Sequence, residues 1–234
     1  MSTGALDPIE LPAAMPANTE TVRRHRAVDA ACRALDMIVA LLALILLSPV
    51  LLVIAAAVRL ESSGPSLFSQ RRVGRSLESF TVYKFRTMRT GASHDRHREF
   101  VQSLIAGAQP DGVDGQPRFK LVADDRITRV GGFLRRSSLD ELPQLWNVLR
   151  GDMSLVGPRP PIPYEVERYP THWFRRFEVK PGITGLWQVS GRCELTMEQM
   201  IELDVDYVQR RSLHLNVWIL LRTLPAVLSS RGAS

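Results

Sequence analysis

The chain is poor in cysteine. Its 234 residues include two, Cys32 and Cys193, too few for a disulfide framework. No Cys-x-x-Cys occurs, so neither a zinc ribbon nor a thioredoxin-type redox pair is supported. A reducing compartment is the expectation. Three other signatures are missing: Gly-x-x-x-x-Gly-Lys-[Ser/Thr], Gly-x-Gly-x-x-Gly and Gly-x-Ser-x-Gly. Their absence removes support for a P-loop, a dinucleotide fingerprint and a hydrolase elbow. No internal repeat is evident. Hydrophobic residues at 45% and charged residues at 23% exclude wholesale disorder. The length predicts one domain, or one with an appendage.

Positive charge is in excess. Lys and Arg number 30 against 24 Asp and Glu, for a net charge of +6 and a pI near 9.9. Such a balance suits nucleic acid, an anionic membrane face or phosphorylated substrates. The apolar residues choose among them. From Met37 to Val58 runs a stretch of about 22 residues without a charge. As a straight helix it measures roughly 33 Å, enough to cross a hydrocarbon core. Ser48-Pro49 sits at its centre, where proline removes a backbone hydrogen bond and clashes with the preceding turn. Both flanks are basic: Arg23, Arg24, Arg26 and Arg33 before it, Arg59, Arg71, Arg72, Arg75 and Lys84 after it. A single span cannot keep both flanks in the cytoplasm. The pattern predicts a re-entrant helix broken at Ser48-Pro49, with the freed backbone groups bonded to the Ser hydroxyl or to protein neighbours. An ordinary spanning helix is the alternative. Basic residues gathered around an apolar run are a membrane pattern, so no nucleic-acid partner is expected.

The expected organisation is a disordered tail over 1–22, the membrane helix with its basic flank over 23–60, a cytoplasmic catalytic domain over 61–212 and an interfacial segment over 213–234. The tail is no signal peptide, because its apolar run comes too late and is too long. In the domain, Phe68–Val73 and Phe80–Phe85 read as strands joined by a turn containing Gly74 and Ser76. Residues 91–120 read as a loop or short exposed helix; His94 and His97 there lack the other ligands a metal site needs. Helical spacing marks Val130, Phe133, Leu134, then Leu142, Leu145, Trp146, Leu149, then Met197 to Arg210. Leu213 to Leu228 is apolar but interrupted by His214, Asn216, Arg222 and Pro225; it reads equally as an interfacial helix with Trp218 at headgroup level or as a core helix. The fold class is α+β: a mostly helical domain with a small β-hairpin.

Three polar clusters could carry chemistry. The densest spans Leu134 to Gln144 and contains Asp140 and Glu141. Ser138-x-x-Glu141 matches a capping box. Pro143 disfavours helical dihedrals at Leu142, which would leave both carboxylates at a helix mouth. There the free N–H groups and Arg135 or Arg136 would keep a carboxylate ionised, as a nucleophile or a magnesium ligand requires. The second, Gly157-Pro-Arg-Pro-Pro161, sets one guanidinium in a rigid backbone, a phosphate fork or a solvated turn. The third, Lys180 to Arg192, has glycines at 182, 185 and 191 and a stacking face in Trp187; it reads as an anion loop or a packed surface loop.

Together the segments Tyr83-Lys-Phe-Arg-Thr-Met88, Asp125-Arg-Ile-Thr-Arg-Val-Gly131, Ser138-Leu-Asp-Glu-Leu-Pro-Gln144, Gly157-Pro-Arg-Pro160 and Lys180 to Arg192 resemble, in order, the bacterial sugar transferases, the monotopic phosphoglycosyl transferases, of the compact type that primes exopolysaccharide. The resemblance covers roughly residues 30 to 232. It implies transfer of a sugar 1-phosphate from a UDP-sugar, with a lean to glucose or galactose, to polyprenyl (undecaprenyl) phosphate at the cytoplasmic membrane face, with release of UMP. By the same resemblance Asp140 is the nucleophile, Asp140 and Glu141 hold Mg2+, Lys84, Arg135 and Arg159 bind phosphate, and Ser48-Pro49 marks the membrane-helix break. The location implied is the bacterial inner membrane, with UDP-sugar, the lipid phosphate and the cytoplasmic leaflet as partners and a homodimer as an open option. Cys193, His214 and Asn216 stand at positions that could set sugar choice or membrane docking. A membrane adaptor without chemistry is the competing reading, and it predicts nothing special at Asp140.

Overall fold

The structure is a computed structural model that describes residues 19–89, 126–191 and 195–228. The segment 91–120 with His94 and His97, and the residues Arg192 and Cys193, lie outside the described residues, as does the tail up to residue 18. The described chain is mostly helical, with a small two-stranded antiparallel sheet and one long apolar N-terminal helix.

That helix, α1, spans Thr19–Glu61. The sequence predicts a break at Ser48-Pro49, but the helix passes through both residues as one element. The reason is local. Pro49 has no N–H to give the Ile45 carbonyl four residues earlier, and the Ser48 hydroxyl donates to that same carbonyl at 2.8 Å. One stripe of α1, Cys32, Asp36, Ala40, Ile54 and Val58, is buried against the rest of the chain. Leu41, Leu42, Ile45, Leu46, Leu52 and Val53 are exposed between its ends.

Strands β1 (Leu67–Val73) and β2 (Ser79–Phe85) form the expected hairpin. Helix α2 (Arg129–Ser137) starts on Thr128, whose hydroxyl accepts from the Gly131 amide at 3.0 Å. The Glu61 carboxylate, at the end of α1, accepts from Arg129 N at 2.7 Å and Val130 N at 3.0 Å, and so caps α2 from outside. A 3-10 turn, Leu139–Glu141, leads to α3 (Gln144–Arg150). There follow β3 (Ser154–Val156), the short α4 (Pro163–Val166), a 3-10 segment Thr171–Glu178, β4 (Gly182–Thr184), α5 (Leu186–Ser190), α6 (Met197–Arg210) and α7 (Leu213–Leu228).

The main core gathers Ala40 of α1, Val82 of β2, Leu145 and Val148 of α3, Leu155 and Val156 of β3, Tyr207 of α6 and Ile219 of α7. Helix α7 packs on the core through one face and leaves the other exposed. Asn216 and Ile219 are buried, and the Tyr207 hydroxyl donates to the Asn216 side chain at 2.9 Å. Leu213, Val217, Leu221 and Leu224 stay exposed, and Arg222 lies 5.3 Å from the Trp218 ring centre. Asn216 is thus a core residue, bonded also to Cys32 Sγ at 3.2 Å, and not a free determinant of sugar choice.

Part of the third sequence cluster, Gly182–Thr184, is strand β4. Strands β3 and β4 pair in parallel, Ser154 with Gly182 and Val156 with Thr184. A Cβ on Gly182 would lie 2.0 Å from the Gly157 nitrogen, a distance real side chains do not tolerate. Gly182→Ala should therefore sit at the upper end of the roughly 1–3 kcal/mol cost of overpacking. For a chain of this size that is a fall of roughly 6–12 °C in Tm. An unchanged melting curve in detergent would contradict the close approach.

Candidate active site

The hairpin register sets one wall. Opposed residues share a face, so the pairs Phe68–Lys84, Gln70–Val82 and Arg72–Phe80 put Gln70, Arg72 and Lys84 on the same side. Asn147 of α3 fixes the hairpin against the helix. Its amide nitrogen donates to Thr81 O at 2.7 Å and its oxygen accepts from Tyr83 N at 3.2 Å, one residue from Lys84. The other wall is the turn between α2 and α3. Ser138 adopts the left-handed region, φ 57°, and its side chain makes no capping bond. The capping box is therefore not formed: the turn is held by its backbone, Glu141 N to Ser138 O at 3.2 Å. Asp140 is buried in this turn and Glu141 lies beside it, both ahead of α3.

The charges meet here. Lys84 Nζ donates to Glu141 Oε1 at 2.5 Å, and Arg159 Nη1 lies 3.5 Å from the same oxygen. Despite burial, these two cations hold the Glu141 carboxyl down at about 2. Asp140 goes the other way. Burial pushes its carboxyl above the usual range, while Lys84 pulls against the rise, Glu141 adds to it, and Arg135 and Arg159 oppose it. The sequence points to a depressed carboxylate held by Arg135 or Arg136; the depressed one is Glu141, and its main cation is Lys84. Arg136 is exposed. Arg135 flanks the pair, its Nε donating to Thr87 Oγ1 at 2.9 Å.

Lys84, Glu141 and Arg159 line an open cleft of about 250 Å3, with Arg72, Gln144, Pro160, Gly182 and Ile183 on its wall. Burial and the neighbouring Arg159 push the Arg72 guanidinium down to about 10. Lys84, Asp140, Glu141 and Arg159 thus come together as the sequence suggests, with Arg135 at the edge. Lys180 does not join them: its ammonium lies beside Gly151 and Arg33, at the junction of α1 and α3. Ser48 and Pro49 stay on the exposed face of α1. The sequence reading missed Arg72 and Gln144. Strand alternation gives a signal for Arg72, which has the same parity as Gln70 and lies on the same face of the hairpin as Lys84.

No group of three or more His, Cys, Asp or Glu occurs among the described residues. Magnesium is commonly held by one or two carboxylates with phosphates and water completing its shell. Glu141 Oε1 is occupied by cations, which leaves its second oxygen and the Asp140 carboxylate as hard oxygen donors. That donor set fits magnesium with a diphosphate.

Residues 27–230 match the family model for bacterial sugar transferases. The chain is 43% identical over 202 residues to the galactosyl transferase CpsE of Streptococcus agalactiae, covering 86% of this chain and 43% of that one. It is 40% identical over 201 residues to the exopolysaccharide production protein ExoY of Sinorhizobium fredii, covering 86% and 87%. It is 43% identical over 216 residues to a UDP-glucose:undecaprenyl-phosphate glucose-1-phosphate transferase of Caulobacter vibrioides, covering 88% and 73%. The chain spans about two-fifths of the length of CpsE and of several other curated relatives. The match over nearly the whole described chain shows that it belongs to the bacterial sugar transferase family.

Proposed function

We propose that the protein transfers a sugar 1-phosphate from a UDP-sugar to undecaprenyl phosphate, with release of UMP. The observation that carries the reading is the division of labour between adjacent carboxylates. Glu141 is held as an anion by Lys84 and Arg159, and Asp140 sits buried beside it with a raised affinity for protons. A carboxylate of higher basicity is the better nucleophile once ionised. Relatives named for glucose 1-phosphate transfer and for galactose phosphotransfer to undecaprenyl phosphate support the reaction class and the lean to glucose or galactose.

In the proposed mechanism an Asp140 oxygen attacks the phosphorus that bears the sugar. The bond from that phosphorus to the UMP oxygen breaks, and UMP leaves with the electron pair. An oxygen of undecaprenyl phosphate then attacks the same phosphorus, and the Asp140 carboxylate is released. Lys84, Arg135 and Arg159 neutralise the phosphate charge during both displacements. Asp140 and Glu141 are the residues that would hold Mg2+, which when bound screens the diphosphate from the attacking anion.

The membrane placement is part of the proposal. Near its start, α1 touches the domain through Arg33, which donates to Leu149 O at 2.8 Å, and Asp36, which accepts from Leu155 N at 2.9 Å. Near its end, Arg86 donates to Ser62 O at 2.7 Å. Two ends packed on one domain support entry and exit on the same, cytoplasmic, side, with the exposed apolar middle in lipid. The exposed face of α7 supports contact with the same leaflet.

Two experiments test this. Membranes holding the wild type should convert labelled UDP-glucose or UDP-galactose and undecaprenyl phosphate into lipid-linked sugar, and chelation of magnesium should stop it. Asp140→Asn should lower the rate by 100-fold or more, on the order expected for losing a nucleophile. No product from any UDP-sugar, or undiminished turnover by the Asn variant, would contradict the reading. For the topology, single cysteines near Arg24 and Glu61, in a Cys32→Ala, Cys193→Ser background, should both resist an impermeant thiol reagent on intact cells. Labelling of only one would make α1 an ordinary span.

A further inference from the structure

The segment Pro158-Arg159-Pro160-Pro161 contains three residues without an N–H, so its backbone is held chiefly through its carbonyls. All four carbonyls in succession are taken. Pro158 O accepts from Gly182 N at 2.9 Å, and Pro161 O from Val73 N at 3.0 Å. Between them, Arg159 O accepts from Arg176 Nη2 at 2.8 Å, and Pro160 O from Arg72 Nη1 at 2.9 Å. The outer two donors are backbone amides in or beside the strands, and the inner two are guanidinium groups from opposite sides of the segment.

Both guanidiniums are themselves fixed. Arg176 is buried, pairs with Asp204 at 2.6 Å and donates to the Tyr169 hydroxyl at 3.1 Å. Arg72 Nε and Nη2 both donate to Gln70 Oε1, at 3.2 and 2.8 Å. A buried ion pair is weak evidence for stability as such, because desolvation offsets much of its attraction. Here it brings a planar fork to one particular carbonyl, that of the residue whose side chain reaches Glu141.

We propose that Arg72 and Arg176 are positioning residues that clamp the backbone on either side of the Arg159–Pro160 peptide and thereby aim the Arg159 guanidinium at the substrate phosphate. This rests on the proposed function for what Arg159 binds, but not for the clamp. Arg176→Lys keeps the charge and loses the fork; Asp204→Asn keeps the shape and loosens the anchor.

The test is a double-mutant cycle with Arg159→Ala, read as kcat and KM for UDP-sugar. Arg176→Lys, Asp204→Asn and Arg72→Gln should each lower kcat/KM by about 10-fold in the wild-type background. In the Arg159→Ala background each should cost less than about 2-fold. A loss that persists undiminished there would overturn the clamp: for Arg176 it would mean a general packing role, for Arg72 direct contact with substrate. If Arg176→Lys fails to fold, the Asp204→Asn cycle decides. A second arm needs no turnover. A nitroxide attached through Arg159→Cys, in the Cys32→Ala, Cys193→Ser background, should give a broad, immobilised spectrum that sharpens on Arg176→Lys or Arg72→Gln. An unchanged spectrum would overturn the clamp even if the proposed reaction stood. Sharpening without turnover in the wild type would keep the clamp and defeat the reaction.

Discussion

Lys84 and Glu141 meet at 2.5 Å between the hairpin and the turn that opens α3, each side chain about four-fifths shielded from water. Neither charge would rest there alone, because taking an isolated ion out of water costs several kcal/mol. Their pairing joins two walls that are 57 residues apart in sequence. Asp140 and Arg159 are then set against a charge that is already fixed. Arg72, Lys84, Arg135 and Arg159 act on two carboxylates, so the cleft keeps a positive surplus. A surplus of that sign in a half-dry cleft suits a diphosphate and lowers the cost of bringing a carboxylate up to it.

The rest of the chain holds that pair in place. Asn147 bonds α3 to the hairpin on either side of Val82, which sets the reach of Lys84. Glu61 caps α2, so the end of the long helix is tied to the element that leads into the catalytic turn. Arg86, one residue past the strand that carries Lys84, adds a second tie, to Ser62 just after α1. A shift of α1 would be felt at both walls of the cleft. Under the proposed function this coupling matters, since the depth of α1 in the bilayer would set where the acceptor phosphate can lie.

Much of this was legible in the sequence, for identifiable reasons. The hairpin, α2, α3 and α6 follow from periodicity, although Phe133 and Trp146, which belong to the periods that mark α2 and α3, stay exposed. The sequence points to a cation-paired carboxylate in this cluster, with Arg135 or Arg136 as its partner; the paired one is Glu141 and its partner is Lys84, brought to it by the hairpin and not along a helix. The parallel pair of β3 and β4 was not legible: each strand has three residues, and what joins them is the close approach of Gly157 and Gly182. Arg176 and Asp204 gave no signal, since 28 residues separate them and their meeting depends on how the Thr171–Glu178 segment packs on α6. At Pro49 the residues run on as one helix, and the carbonyl that the proline leaves free, that of Ile45, is taken by the Ser48 hydroxyl, the partner the sequence suggests for it.

The central claim is that Asp140 carries the phosphosugar. Its most direct test is the mass of the purified protein incubated with magnesium and the preferred UDP-sugar, without lipid acceptor, and quenched in acid. The account predicts a gain of one hexose phosphate, located by fragmentation to the peptide containing Asp140 and lost when undecaprenyl phosphate is added before the quench. An enzyme that turns over with lipid present yet never gains that mass, or gains it at another residue, would contradict the account.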